Sequence, residues 1–269
     1  MRGIARRSSG SARWMSGYDL SMSAAPRIVR AADTAALADA AAAAILEAAR
    51  TAVREHGRFT IALAGGATPA STYTRLAQSP FVDAMPWDRT WVFFGDERMV
   101  PPHHPESNFR MADERLLAKV PLEADHVFRM RGEAEDSDTA ASEYTKHLLD
   151  ACPERRGGGM PRLDLVLLGV GVDGHTASLF PGSPAVRETF RPVVAVHAAA
   201  AAIPERLTLT FPVINAAARV FVLVAGPEKA KVVKAVLADR ALTPAGMVSP
   251  TDGELRWYLD AAAAALLPR

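Results

Sequence analysis

Short apolar runs, separated by longer segments with apolar residues at helical spacing, set the pattern of this 269-residue chain. Runs at 27–30, 59–63, 91–94, 163–168, 192–196, 204–210, 219–224 and 257–259 are too short for buried helices and read as strands, with 126–130 as a further edge strand. Between them lie helical stretches. One is alanine-rich, capped by Asp33 or Thr34, and runs to about residue 56; another covers 107–118; a third covers 139–152, with Ala140, Tyr144 and Leu148 on one face. Residues 154–161, with three consecutive glycines, read as a flexible loop, and Asp260 as the cap of a closing alanine helix. Strands alternating with helices predict a doubly wound, mainly parallel, Rossmann-like α/β sheet with helices on both faces. The chain divides into an N-terminal extension, 1–25, and a single α/β domain, 26–269.

Chemistry gathers where the strands stop. The 163–168 run, broken only by Asp164, ends at Gly169, Gly171 and Gly174, with Asp173 and His175 two apart in the bend. In open parallel sheets the carboxyl edge is where ligands bind. The letters from Gly169 to Gly174 match the dinucleotide fingerprint, but Pro181 and Gly182 end any helix after about two turns, so no nicotinamide or flavin site is expected. Two readings stay open: His175 as a mere capping group, or His175 as a general base with Asp173 as its orienting partner. No G-x-S-x-G elbow exists, which argues against a serine nucleophile.

Two more strand ends carry glycine and polar groups. Gly65-Gly66-Ala67-Thr68-Pro69 predicts Thr68 as N-cap and Pro69 as first helical residue, bringing the chain to a helix N-terminus that favours an anion; an ordinary strand-to-helix turn fits equally. Gly95-Asp96-Glu97-Arg98 places Asp96 where a carboxylate can order a substrate hydroxyl or a cation. Lys229, in the opening turn after Pro227, opposes the helix dipole unless an anion compensates it, and Arg206 stands at a strand entrance. His103 and His104 lie in a prolyl segment with no acid or cysteine at ligand spacing, so no metal is expected.

A net charge of +1 argues against a nucleic-acid or anionic-membrane partner, and no apolar run approaches the ~18 residues of a membrane span. The single cysteine, Cys152, forbids an intramolecular disulfide and points to a reducing, cytoplasmic setting. Residues 1–25 hold Arg2, Arg6, Arg7 and Arg13 against one acid, Asp19, as targeting peptides do; we read them as a disordered tail or as preceding a start at Met15 or Met22.

The stretches ALAGGATP, FFGDERMVPPHHPESNFRM and GVGVDGHTASLFPGS, in this order, resemble the 6-phosphogluconolactonases, relatives of the glucosamine-6-phosphate deaminases. The resemblance covers roughly residues 27–267. It implies a cofactor-free hydrolase of 6-phospho-D-glucono-1,5-lactone in the pentose phosphate pathway. His175, Asp173 and Asp96 would then serve catalysis, with Gly65, Gly66, Ala67, Thr68, Arg98, Arg206 and Lys229 around the sugar phosphate. The deaminases carry a glutamate just before the proline of this segment, where this chain has Phe180, which transfers no proton. Lactone turnover without ammonia release is therefore the expectation, with a deaminase or a non-catalytic sugar-phosphate binder as the alternatives.

Overall fold

Six apolar runs lie side by side, hydrogen-bonded in parallel, in a computed structural model that describes residues 26–268 apart from 153, 157 and 200. The extension at 1–25 lies outside the described residues. The chain runs β1 (Arg27–Ala31), α1 (Thr34–His56), β2 (Phe59–Leu63), α2 (Ala67–Leu76), α3 (Phe81–Ala84), β3 (Thr90–Phe94), β4 (Asp96–Arg98) and α4 (Asn108–Arg115). It continues through α5 (Ser137–Ala151), β5 (Arg155–Arg156), β6 (Met160–Pro161), β7 (Leu165–Leu168), β8 (Val193–His197), β9 (Glu205–Leu209), α6 (Phe211–Ala216), β10 (Arg219–Val224), α7 (Ala230–Leu237) and β11 (Glu254–Asp260). The central sheet has the order β1-β11-β10-β7-β2-β3.

Side chains alternate across the strands and build one apolar core on each face. Ile61, Leu63, Phe94, Leu165 and Phe221 meet α1 to α4 on one face; Ala62, Phe93, Val166, Val220 and Trp257 meet α5 to α7 on the other. Alanines along the buried side of α1 let its backbone lie close to the sheet. From β2 the chain continues to β3 on one side, and from β7 towards β10 on the other. The crevice that ligands use in such sheets therefore opens between the carboxyl ends of β2 and β7. Loop glycines pack there, since a Cβ on Gly169 would lie 3.7 Å from the Gly65 carbonyl oxygen.

Two tyrosines, one from each face, secure the strand ends at this edge. Tyr73 of α2 accepts the Ala64 N–H and donates to the Ala64 carbonyl, both at 2.8 Å. Tyr144 of α5 does the same to Phe94, at 2.7 and 3.2 Å. Burial raises both phenols far above their ordinary range, so they remain protonated and able to donate. Tyr144→Phe leaves a buried N–H and C=O unpaired and is expected to lower stability by about 1–3 kcal/mol, measured as a shifted urea midpoint. An unshifted midpoint would mean that water replaces the hydroxyl.

The structure corrects several expectations. β4, β9 and β8 leave the central sheet and form an antiparallel sheet of their own. Gly95 links the two sheets, donating its N–H to Leu63 O at 2.8 Å while its carbonyl accepts the Leu209 N–H at 2.8 Å. Periodicity marks a strand but not the partner it pairs with. No strand forms at 126–130; a single parallel bridge joins Val127 to Val92. The apolar residues there pack through their side chains instead, Met130 buried and Val127 and Phe128 half-buried, with Phe128 stacked on Phe93 at 4.8 Å. The 154–161 loop contains the β5–β6 hairpin, whose turn uses Gly158 and Gly159 at φ 72° and 87°. The closing alanine segment makes turns rather than a helix, being too short to repay nucleation before Pro268.

Candidate active site

The loop after β7 is a set of small closures built on its glycines. Gly171 N–H donates to His175 O at 2.9 Å, Gly174 N–H to Gly171 O at 2.9 Å, and Thr176 Oγ1 to Gly169 O at 2.8 Å. Asp173 Oδ1 accepts the His175 backbone N–H at 3.1 Å and faces the ring Nδ1 at 2.6 Å. Burial works against the charge on Asp173, but its hydrogen bonds from His175 outweigh it and hold the carboxyl below its ordinary value. An ionised carboxylate only accepts, which assigns the proton of the neutral ring to Nδ1 and leaves a lone pair on Nε2. Both side chains stay open to water, 31% and 48% exposed.

The chain then folds back in a tight turn, with Leu179 N–H on Thr176 O at 2.9 Å and Ala177 held at φ 48°. A non-glycine residue in the left-handed region costs free energy and is retained where the surroundings impose it. This turn buries Ser178 and returns Phe180 to His175, ring centroids 4.5 Å apart.

Two arginines meet opposite this loop. In the β4–β9 ladder Arg98 and Arg206 are direct cross-strand partners, which puts two positive side chains on one side of the small sheet. Like charges so placed repel, and burial, followed by the charge of Arg98, lowers the Arg206 guanidinium below its ordinary value. Arg98 is anchored through Nη1 to Glu106, while its buried Nε has no partner among the described residues. Such a pair is chemically suited to an anion. Phe180 reaches it as well, with the Arg206 guanidinium carbon 5.6 Å from its ring centroid.

The Gly65 loop leads into α2 two residues earlier than its sequence signals. Gly66, at φ 101°, is the N-cap, so Thr68 and Pro69 fall inside the first turn, where a proline lacks only an N–H that would be unpaired anyway. No side chain caps α2, and Gly66 and Ala67 are exposed. Lys229 lies at the entry to α7, beyond β10 on the same sheet edge. Its backbone N–H donates to Gly226 O at 3.2 Å, while its side chain has no ion pair or hydrogen bond among the described residues.

Asp96 is buried with both oxygens engaged. Oδ1 accepts Asn108 Nδ2 at 3.1 Å, and Oδ2 accepts Ser178 Oγ at 2.6 Å. Asn108 also fills the space beside Gly65, where a Cβ would approach Nδ2 to 2.8 Å. One carboxylate thus ties together the loops after β2, β3 and β7. Its neighbour Glu97 is also buried, accepting Arg98 N–H, Ser107 Oγ–H, Asn108 N–H and Phe109 N–H at 2.7–2.9 Å. Burial, opposed by these bonds, pushes its carboxyl up. Sequence reasoning missed Glu97, Asn108 and Ser178; two adjacent acids followed by a Ser-Asn helix start was the available signal.

Other titratable groups lie elsewhere. A cavity of about 710 Å³ opens at the opposite edge, beside the starts of β7, β10 and β11. Its charges are largely closed on one another, as in Arg162–Asp252 at 2.6 Å and His56–Asp164 at 2.9 Å. The cluster among the described residues spaced to hold a metal is Glu123, Asp125 and His126, and it does not include His103 or His104. Cys152 is buried in the core, its thiol pushed up by burial to about 12. No described helix is long and apolar enough to cross a membrane.

Residues 32–257 match the family model described as glucosamine-6-phosphate isomerases/6-phosphogluconolactonase. The chain is similar to 6-phosphogluconolactonase of Streptomyces coelicolor, 38% identical over 92% of this chain and 97% of the relative. It is similar also to 6-phosphogluconolactonase 3, chloroplastic, of Arabidopsis thaliana, 40% identical over 80% of this chain and 67% of the relative. The solved 6-phosphogluconolactonase from Trypanosoma cruzi superposes with a TM-score of 0.83 at 31% identity, covering 92% of this chain and 99% of that one.

Proposed function

The chain belongs to the family of glucosamine-6-phosphate isomerases and 6-phosphogluconolactonases, and on that premise we propose that it hydrolyses 6-phospho-D-glucono-1,5-lactone to 6-phosphogluconate in the oxidative pentose phosphate pathway. The observation that carries the mechanism is the Asp173–His175 pair, with Nδ1 held at 2.6 Å and Nε2 free at the sheet edge. Nε2 takes a proton from water as the water oxygen attacks the lactone carbonyl carbon, and Asp173 stabilises the imidazolium. The ring carbon–oxygen bond then breaks, and the imidazolium returns the proton to the departing ring oxygen. Arg98, Arg206, Lys229 and the N–H groups of the Gly65–Thr68 loop hold the phosphate and so orient the ring. Asp96, with both oxygens engaged, acts as a positioning residue through Asn108 and Ser178. No metal or cofactor is assigned a role, because a lactone ester is already reactive. A cytoplasmic location is supported by the single, buried cysteine.

The direct test is acid release from the lactone above its spontaneous rate. Release that saturates with substrate and scales with protein is expected; no excess over the spontaneous rate would remove the reading. Arg206→Ala and Lys229→Ala should each raise KM about tenfold or more, the worth of a hydrogen bond to a charged group. The penalty should shrink on a lactone lacking the phosphate. Equal penalties on both lactones would take these cations out of the phosphate site.

A further inference from the structure

Phe180 has no polar side-chain atom, yet it touches both ends of the site. Its ring lies 4.5 Å from the His175 imidazole with the planes inclined by 34°, and the Arg206 guanidinium stands over it at 5.6 Å. The turn that brings it back is formed by 176–179 and kept in place by Ser178 on Asp96.

His175 is held at Nδ1 by Asp173, and its ring occupies the space a Gly171 side chain would need. Neither contact restrains tilt of the ring about its bond to Asp173, and Phe180 does. Arg206 is fixed at Nε by Ile203 O at 3.0 Å, which leaves its terminal nitrogens to be directed by what lies beneath them, the Phe180 ring. We propose that Phe180 is a positioning and specificity residue whose ring sets the separation between the His175 base and the Arg206 guanidinium. That separation fits a substrate with an anionic phosphate at one end and a lactone carbonyl at the other. The inference rests on the lactonase reading above. Phe180 touches no reacting atom; it lets phosphate binding at Arg206 align the carbonyl with Nε2, so binding energy at one end is used at the other.

The test compares Phe180→Leu, Phe180→Tyr and Phe180→Trp on the phosphorylated lactone and on the same lactone without phosphate, with Tm measured alongside. Phe180→Leu should lower kcat on the phosphorylated lactone by about 10- to 100-fold, the cost of an error of about 1 Å in placement. Loss on the unphosphorylated lactone should be smaller, so the preference between the two falls. Phe180→Tyr, which keeps the ring, should restore both rate and preference. An unchanged preference in Phe180→Leu overturns the proposal, as do equal losses on the two lactones. If Phe180→Leu does not fold, Phe180→Trp decides: its wider ring alters the separation, so preference must fall, and an unaltered preference overturns the inference. Wild-type protein without lactone turnover removes the lactonase reading and this inference together. Normal wild-type turnover with unchanged preference in the variants removes this inference alone.

Discussion

Replacing His175 by asparagine is expected to lower kcat for lactone hydrolysis by about 10²- to 10⁴-fold with KM little changed. The amide nitrogen of asparagine can still donate to Asp173, as Nδ1 does at 2.6 Å, so the loop keeps its closure. It has no basic nitrogen to take the proton of the attacking water. The loss should therefore fall on the chemical step and not on phosphate binding, which the proposed reading assigns to Arg98, Arg206, Lys229 and the Gly65 loop. Steady-state kinetics with the phosphorylated lactone check this. A variant with full kcat would leave His175 as a capping group, the other reading open from the sequence.

Gly171→Ala should be nearly as damaging, at about 10²-fold in kcat, although it removes no functional group. A Cβ there would overlap the imidazole at Nδ1 and Cε1 and come within 2.6 Å of Asp173 Oδ1. The ring or the carboxylate has to move, and the Nδ1–Oδ1 bond that orients Nε2 is lost with either shift. The backbone of Gly171 has no positive φ, so an alanine there is not strained in itself, and Tm should fall only modestly. The same variant at Gly174, at φ 86° and packed on Thr243, would fail through backbone strain as well. A Gly171→Ala variant with wild-type kcat would mean that the His175 ring is not held where catalysis needs it.

Much of this site is local in sequence and was legible there for that reason. Asp173 and His175 are two residues apart, and the glycines that free the backbone between them occupy the same seven-residue stretch, so a single loop contains both partners and the turn that joins them. The parallel sheet followed equally directly, because strands buried on both faces read as unbroken apolar runs with helical periods between them.

What depended on pairing between distant segments was decided by the tertiary structure. Arg98 and Arg206 oppose one another only because β4 and β9 form a second sheet, and no period along the chain states which strand another will meet. Asp96 was noticed as a carboxylate at a strand end, but its two oxygens are claimed by Asn108, twelve residues on, and by Ser178, eighty-two residues on. The placement of Phe180 between His175 and Arg206 combines both kinds of cause. A local turn returns its ring to the histidine, whereas its contact with the arginine exists only once the small sheet has packed against the β7 loop. Side-chain type and local backbone freedom are properties of short stretches, and the amino-acid order determined them. Hydrogen bonds and charge contacts across tens of residues depend on which buried surfaces dock, and only the folded core settles that.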